Sequence, residues 1–211
     1  MNISVILSGG SGARFGNSLP KQYSTLCGKE VISYVANSLK QSSLNNKTII
    51  ASAKEYTETL SAAYKIECAI GGDTHNSSAK NSLDYIKSHY PNCKKVLFAD
   101  AARPFIANID EYFTLLDNFD AVITAQRITD SLGCEGKQFV DRSPYYLIQK
   151  PEAFSFDLLY NCFSANSPAT AIVQQLPSNA KIKKRFITGN NMKITYPSDL
   201  PLAEYLMKES K

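Results

Sequence analysis

No Cys-x-x-Cys pair, no long apolar run and no strong excess of one charge occur in this 211-residue chain, and each absence removes a class of protein. Five cysteines (Cys27, Cys68, Cys93, Cys134 and Cys162) are an odd number without zinc-site spacing, so they read as reduced thiols rather than a disulfide framework. His75 and His89 lie far from any cysteine or second-histidine pattern and read as surface or capping residues, not metal ligands. No apolar stretch approaches the ~18 residues of a membrane span, and the short run over 3–7 meets glycines without a basic flank, unlike a secretory signal. We therefore expect a cytoplasmic protein with no membrane partner. The 23 Lys+Arg against 19 Asp+Glu leave a net charge of +4, too mild to indicate a nucleic-acid partner. A composition that is 44% hydrophobic and 20% charged suits a globular chain, read as one domain over 1–211.

What is present is an alternation of apolar runs of two kinds. Short runs over 3–7, 47–51, 67–70, 95–99 and 121–124 predict buried strands, while apolar residues at helical spacing predict helices from Glu30, over 54–63, over 76–90 and from Ile109. Single helices between strands imply parallel pairing with right-handed crossovers, hence an α/β fold with a Rossmann-like, doubly wound, mostly parallel sheet. The alternation breaks over 126–153. There two strand-like runs, 128–132 and 138–148, flank the turn-rich Gly133-Cys-Glu-Gly-Lys137, which predicts a protruding β-arm. A hairpin cannot bury both faces against its own domain, so a second subunit is the expected cover. A helix from Phe156, a strand over 182–188 and a helix from Ser198 complete the chain.

The first strand leads into Leu7-Ser-Gly-Gly-Ser-Gly-Ala-Arg-Phe-Gly16 and then Leu19-Pro-Lys-Gln-Tyr23. Glycines at this point let backbone N–H groups approach a phosphate at the carboxyl edge of the sheet. A dinucleotide fingerprint from Gly10 would need glycine where Phe15 stands, and the second strand ends in Ala51-Ser52 without a ribose-binding acid. A Walker loop would need a Gly-Lys-[Ser/Thr] that is absent. What remains is a glycine cradle with two cations, Arg14 and Lys21, suited to a triphosphate that gains charge during reaction.

This loop with its Pro-Lys-Gln resembles the nucleotidyltransferases that make nucleotide-activated sugars and polyols, and more narrowly the cytidylyltransferases of methylerythritol phosphate and ribitol phosphate. Further matches follow in the family's order: Gly71-Gly-Asp73 with Ser78, Asp100-Ala-Ala-Arg-Pro104, Asp130-Ser131, Asp141-Arg142 and Asn191-Met-Lys-Ile-Thr195 before Pro197-Ser-Asp-Leu200. The resemblance implies attack of a polyol phosphate oxygen on the α-phosphorus of CTP, with Mg²⁺ as cofactor and pyrophosphate as leaving group. It assigns Arg14, Lys21 and Lys193 to the triphosphate and its transition state. It assigns Ser8, Gly9, Gly10, Gly12, Gly71, Gly72, Asp73, Ser78 and Asp100 to the nucleotide, and Asp100 also to the metal. Arg103, Asp130, Ser131, Arg142 and Lys150 fall to the acceptor, Arg142 across a homodimer formed through the arm.

The departures cluster around the acceptor. The family's Gly-Gly-x-x-Arg has His75 in place of the arginine, its His before the Asp is Ala99, its Thr-Pro-Gln reads Lys150-Pro-Glu152, and a Thr-Asp is missing around Ala169-Thr-Ala171. Lys150 suggests an acceptor with an extra or displaced anionic group, and the altered region inclines toward a wall or capsule polymer precursor over an isoprenoid precursor. The same departures motivate an alternative, a non-enzymatic nucleotide-binding relative.

Overall fold

The computed structural model describes residues 1–9, 15 and 20–209. In chain order the strands and helices are β1 (Asn2–Leu7), β2 (Thr25–Leu26), β3 (Lys29–Glu30), α1 (Val31–Gln41), β4 (Lys47–Ser52), α2 (Thr57–Tyr64), β5 (Glu67–Ile70), α3 (His75–His89), β6 (Lys95–Asp100), α4 (Ile109–Leu115), β7 (Ala121–Arg127), β8 (Tyr146–Ser155), α5 (Phe156–Cys162), β9 (Ile182–Phe186) and α6 (Asp199–Glu209). Seven strands form one sheet in the order β5-β4-β1-β6-β8-β7-β9, and β2 with β3 makes a separate hairpin. That hairpin turns through Cys27 and Gly28, both at positive φ (47° and 79°), as a two-residue turn matched to strand twist requires.

Apolar residues alternate across the sheet and supply two cores. Ile3, Val5, Val96 and Phe98 face α3 and α5 through Leu83, Ile86 and Leu159. Ile6, Ile50, Leu97 and Ala99 face α1, α2 and α4 through Val35, Leu39, Leu60 and Phe113. Helices cover both faces, which is why the strands read as continuous apolar runs. A third cluster joins Phe15, Leu26, Val31, Ile194 and Ala203. It clamps the segment that precedes α6 against the β2–β3 hairpin and the start of α1.

Three sequence expectations change. Parallel pairing holds for β5, β4, β1 and β6, but β8 inserts between β6 and β7 and runs antiparallel to both. The sequence pattern misses the second half of β8, because Gln149-Lys-Pro-Glu152 interrupts its apolar signal. The arm is also narrower than 126–153: β7 and β8 stay paired out to Arg127 and Tyr146, and between them only an isolated bridge, Cys134 with Lys137, is β-like. Of the runs 128–132 and 138–148, only the end of the second, 146–148, is in a ladder, and its partner is 125–127 of β7 rather than the first run. Finally, the helix over 54–63 begins as a 3₁₀ turn, Lys54–Tyr56, and the strand over 182–188 ends at Phe186.

Candidate active site

Parallel strands leave their carboxyl ends along one edge, and backbone hydrogen bonds extend the ladder beyond them. Ser8 N–H donates to Ala51 O at 2.8 Å, Gly71 N–H to Ser52 O at 2.7 Å and Ala101 N–H to Leu7 O at 3.0 Å. The loops after β1, β5 and β6 thus start side by side at the place where doubly wound sheets bind ligands.

Gly9, Gly71, Gly72 and Ser78 meet there. The Ser78 hydroxyl lies 3.0 Å from both Gly72 N and Gly72 O. A Cβ on Gly9 would approach Ser78 Oγ to 3.0 Å, one on Gly71 would reach it at 3.1 Å, and one on Gly72 would collide with Ser77 Cβ at 2.6 Å. Glycine is required here for close approach rather than for unusual φ. Thr74 caps α3 by accepting from Ser77 N–H at 3.0 Å, and Asp73 is exposed in front of it. Ser8 is buried, shares a 3.0 Å hydrogen bond with the Tyr23 hydroxyl, and its carbonyl accepts from Gln22 Nε2 at 2.8 Å. Both partners belong to the short turn Lys21–Tyr23, so the backbone of Lys21 is held beside the end of β1. Arg14, Gly10 and Gly12 lie outside the described residues.

Asp100 ends β6 and organises a cleft of about 250 Å³ lined by His75, Arg103, Lys150, Glu152 and Lys193 among others. Lys193 Nζ stands 3.0 Å and Arg103 Nε 3.3 Å from Asp100 Oδ2. The segment carrying Lys193 is pinned on both sides: Ile194 N–H donates to Ala102 O at 2.9 Å, and the Asn191 amide donates to Lys150 O at 2.8 Å and Gln149 Oε1 at 2.9 Å. Arg103 also donates to Asn191 O. Burial opposes ionisation of Asp100, but Lys193, Lys150 and Arg103 outweigh it and hold its carboxyl well below the usual carboxylate range.

Lys150 reaches this cleft because of an irregularity in the sheet. Ile123 pairs with Glu152 but Thr124 pairs with Gln149, so Lys150 and Pro151 form a bulge in β8. Lys150 is buried and ion-paired with the fully buried Glu152. His75 is exposed at the mouth of the cleft, where crowding by protein and the charges of Lys150 and Lys193 push its pKa down to about 4. It is therefore a mostly neutral ring near pH 7, exposed as the surface reading expected, and it also lines the cleft. Three cations thus face two carboxylates, an arrangement that attracts anions.

Asp130, Ser131 and Arg142 do not join this cleft within one chain. All three are exposed on the arm, where Arg142 donates to Thr129 O. Sequence reasoning singled out His75 and Glu152 only as departures from the family's pattern, with no task for either, and read Asn191 only as part of a motif. The strings that contain them were visible, but nothing local indicates that residues 75, 100, 152 and 191 converge.

Could this site hold Mg²⁺? No group of three or more His, Cys, Asp or Glu suited to a metal occurs among the described residues. One carboxylate nonetheless fits the usual habit of Mg²⁺, which takes one or two protein carboxylates and fills its shell with substrate phosphates and water. Both ion pairs of Asp100 among the described residues fall on Oδ2, and Asp100 is the carboxylate that would hold the ion.

Comparison with known proteins shows the family. A family model described as "IspD: 2-C-methyl-D-erythritol 4-phosphate cytidylyltransferase" matches residues 2–209. A 2-C-methyl-D-erythritol 4-phosphate cytidylyltransferase of Azobacteroides pseudotrichonymphae is 31% identical over 219 residues, covering 96% of this chain and 97% of that protein. One from Thermotoga neapolitana is 29% identical over 223 residues, covering 99% and 98%. The solved 4-diphosphocytidyl-2C-methyl-D-erythritol synthase of Anaerococcus prevotii superposes with a TM-score of 0.84 at 22% identity, covering 98% of this chain and 96% of that one, a likeness of fold. These relatives carry the methylerythritol name, so the inclination toward a polymer precursor finds no support among them.

Proposed function

Because the chain belongs to the 2-C-methyl-D-erythritol 4-phosphate cytidylyltransferase family, we propose that it transfers CMP from CTP to 2-C-methyl-D-erythritol 4-phosphate. An oxygen of the acceptor phosphate attacks the α-phosphorus, the bond from that phosphorus to the bridging oxygen breaks, and pyrophosphate departs with the electron pair. Both reactants bring their own phosphates, so the protein's task is alignment and charge stabilisation. The observation that carries this reading is the grouping of Lys193, Arg103 and Lys150 around Asp100, beside the glycine pocket formed by Gly9, Gly71, Gly72 and Ser78.

In this reading Gly71, Gly72, Asp73 and Ser78 frame the cytosine, and Ser8, Gly9, Gly10 and Gly12 also serve the nucleotide. Arg14, Lys21 and Lys193 stabilise the charge that builds on the α- and β-oxygens. Arg103 and Lys150 take the acceptor. Asp100 would hold Mg²⁺, which when bound neutralises part of the triphosphate charge. Asp130, Ser131 and Arg142 serve the acceptor site of a second subunit in a homodimer. That role is supported by the exposure of Phe139 (79%), Tyr145 (51%) and Leu147 (49%) at the arm, apolar surface that a partner would cover. One domain over the whole chain in the cytoplasm is our reading; the unpaired cysteines support it, and no helix among the described residues is long and apolar enough to cross a membrane.

Pyrophosphate release tests the proposal. We expect turnover with CTP and 2-C-methyl-D-erythritol 4-phosphate, slower turnover with ribitol 5-phosphate, and little with ATP or GTP, because a pocket walled by Gly71 and Gly72 backbone has little room for a fused ring. Folded protein that releases no pyrophosphate with either acceptor would leave the non-enzymatic alternative standing.

A further inference from the structure

Glu152 has no solvent exposure, yet the reaction described above gives it no task. An ionised carboxylate is unfavourable in such a place unless it is paired and hydrogen-bonded, and Glu152 is both. Its Oε2 takes the Lys150 ammonium and the Ile172 N–H at 3.2 Å, and its Oε1 takes the Val173 N–H at 3.4 Å. Of these partners Lys150 lines the cleft itself, and Ile172 and Val173 directly follow a second stretch of its lining. Lys150 lines it from the bulge in β8, and Thr170 and Ala171 line it just before Ile172. The far end of that second wall is tied to α3, where the Asn76 amide donates to Ser167 O and Ala169 O at 2.9 Å each. A single carboxylate therefore joins two walls that no backbone ladder connects.

Stability alone does not account for the pair, since replacing a buried ion pair by apolar residues of similar volume is often neutral or stabilising. What an apolar pair would not supply is a fixed ammonium at the edge of an anion-attracting cleft. We propose that Glu152 is a positioning residue: it holds the Lys150 ammonium and the Thr170–Ala171 wall in place, so that the acceptor phosphate meets a preset cation. The proposal rests on reading this cleft as the acceptor site. It also changes what Lys150 implies, because a lysine already matched by Glu152 does not require an extra anionic group on the acceptor.

A double-mutant cycle on the full chain tests this, using calorimetric binding of inorganic phosphate and of 2-C-methyl-D-erythritol 4-phosphate, with and without a non-hydrolysable CTP analogue. Glu152→Gln and Lys150→Met should each weaken acceptor binding by about tenfold, within the range seen for residues in direct contact. The double variant should bind no more weakly than Lys150→Met alone, and affinity for the CTP analogue should stay within about twofold. Circular dichroism checks folding; if Glu152→Gln unfolds, Glu152→Asp, which retracts the charge by one methylene, serves in the same cycle. An equal loss from the Glu152 substitution with and without Lys150 would make Glu152 merely structural and overturn the proposal. So would unchanged acceptor binding in Glu152→Gln, or no binding of either probe by the unaltered protein. Absent turnover with this binding pattern intact would remove the transferase reading and leave the positioning role of Glu152 standing.

Discussion

The cleft and the arm carry similar polar side chains and treat them in opposite ways. In the cleft Asp100, Arg103, Lys150 and Glu152 are buried or nearly so, and each contacts an oppositely charged group. On the arm Asp130, Ser131 and Arg142 are exposed, and the recorded partner of Arg142 is a backbone carbonyl. The difference lies in what stands behind each side chain. Asp100, Lys150 and Glu152 sit on strands of a seven-stranded sheet with a core on either face and Arg103 follows one of them directly, whereas residues 128–145 have one isolated bridge between them. A rigid scaffold orients charge before a ligand arrives, while an arm without a second layer supplies no such scaffold within one chain.

Four measurements would break or sharpen that contrast, beginning with the largest effect. Lys21→Ala should lower kcat by about 10² to 10³ while leaving the fold and much of the CTP affinity, because a preorganised cation helps the transition state more than bound CTP. Pyrophosphate release with circular dichroism as control checks this, and a folded variant retaining more than half of wild-type kcat would remove Lys21 from the catalytic set. Arg142→Ala should raise KM for the acceptor by about tenfold with a smaller change in kcat, as loss of one charge-assisted contact would. Equal kinetics in variant and wild type would confine Arg142 to the arm.

The dimer is tested by sedimentation. The unaltered protein should sediment as a homodimer at micromolar concentration, and Phe139→Ser should shift it toward monomer with little change in thermal stability, since Phe139 packs against little of its own chain. A fully active monomeric wild type would show the arm to be incidental.

The smallest effect concerns pH. Folding depresses the His75 pKa to about 4, below its ordinary value. As pH falls from about 6.5 toward 4, the unfolded chain takes up a proton that the native state refuses, so stability declines over that window and is unaffected above it. Melting temperatures of wild type and His75→Gln should diverge at pH 7 relative to pH 5, with the variant losing less on acidification. Parallel losses would mean that His75 titrates as an ordinary surface histidine.

Much of the molecule is legible from local pattern. The strands ending at Leu7, Ser52, Ile70 and Asp100 announce themselves as apolar runs, and Pro20-Lys-Gln22 and Asp100-Ala-Ala-Arg-Pro104 stand out as strings. Those features depend on neighbours in the chain, through periodicity, backbone stiffness and the sterics of glycine, so a sequence by itself determines them. It determined an α/β sheet wound on both faces and a glycine-rich loop with nearby cations after the first strand, suited to a triphosphate. Only the tertiary structure decided that β8 runs antiparallel through the middle of the sheet, that its bulge brings Lys150 into the cleft of Asp100, that Glu152 is tied to the segment at Ile172 as well as to that lysine, and that His75 joins them. These outcomes depend on residues separated by 20 to 90 positions, such as Glu152 with Ile172 and Asn191 with Arg103. Charge is compensated across space, between whichever side chains packing brings within a few ångströms, and that choice is made by the whole sheet at once rather than by any segment of it.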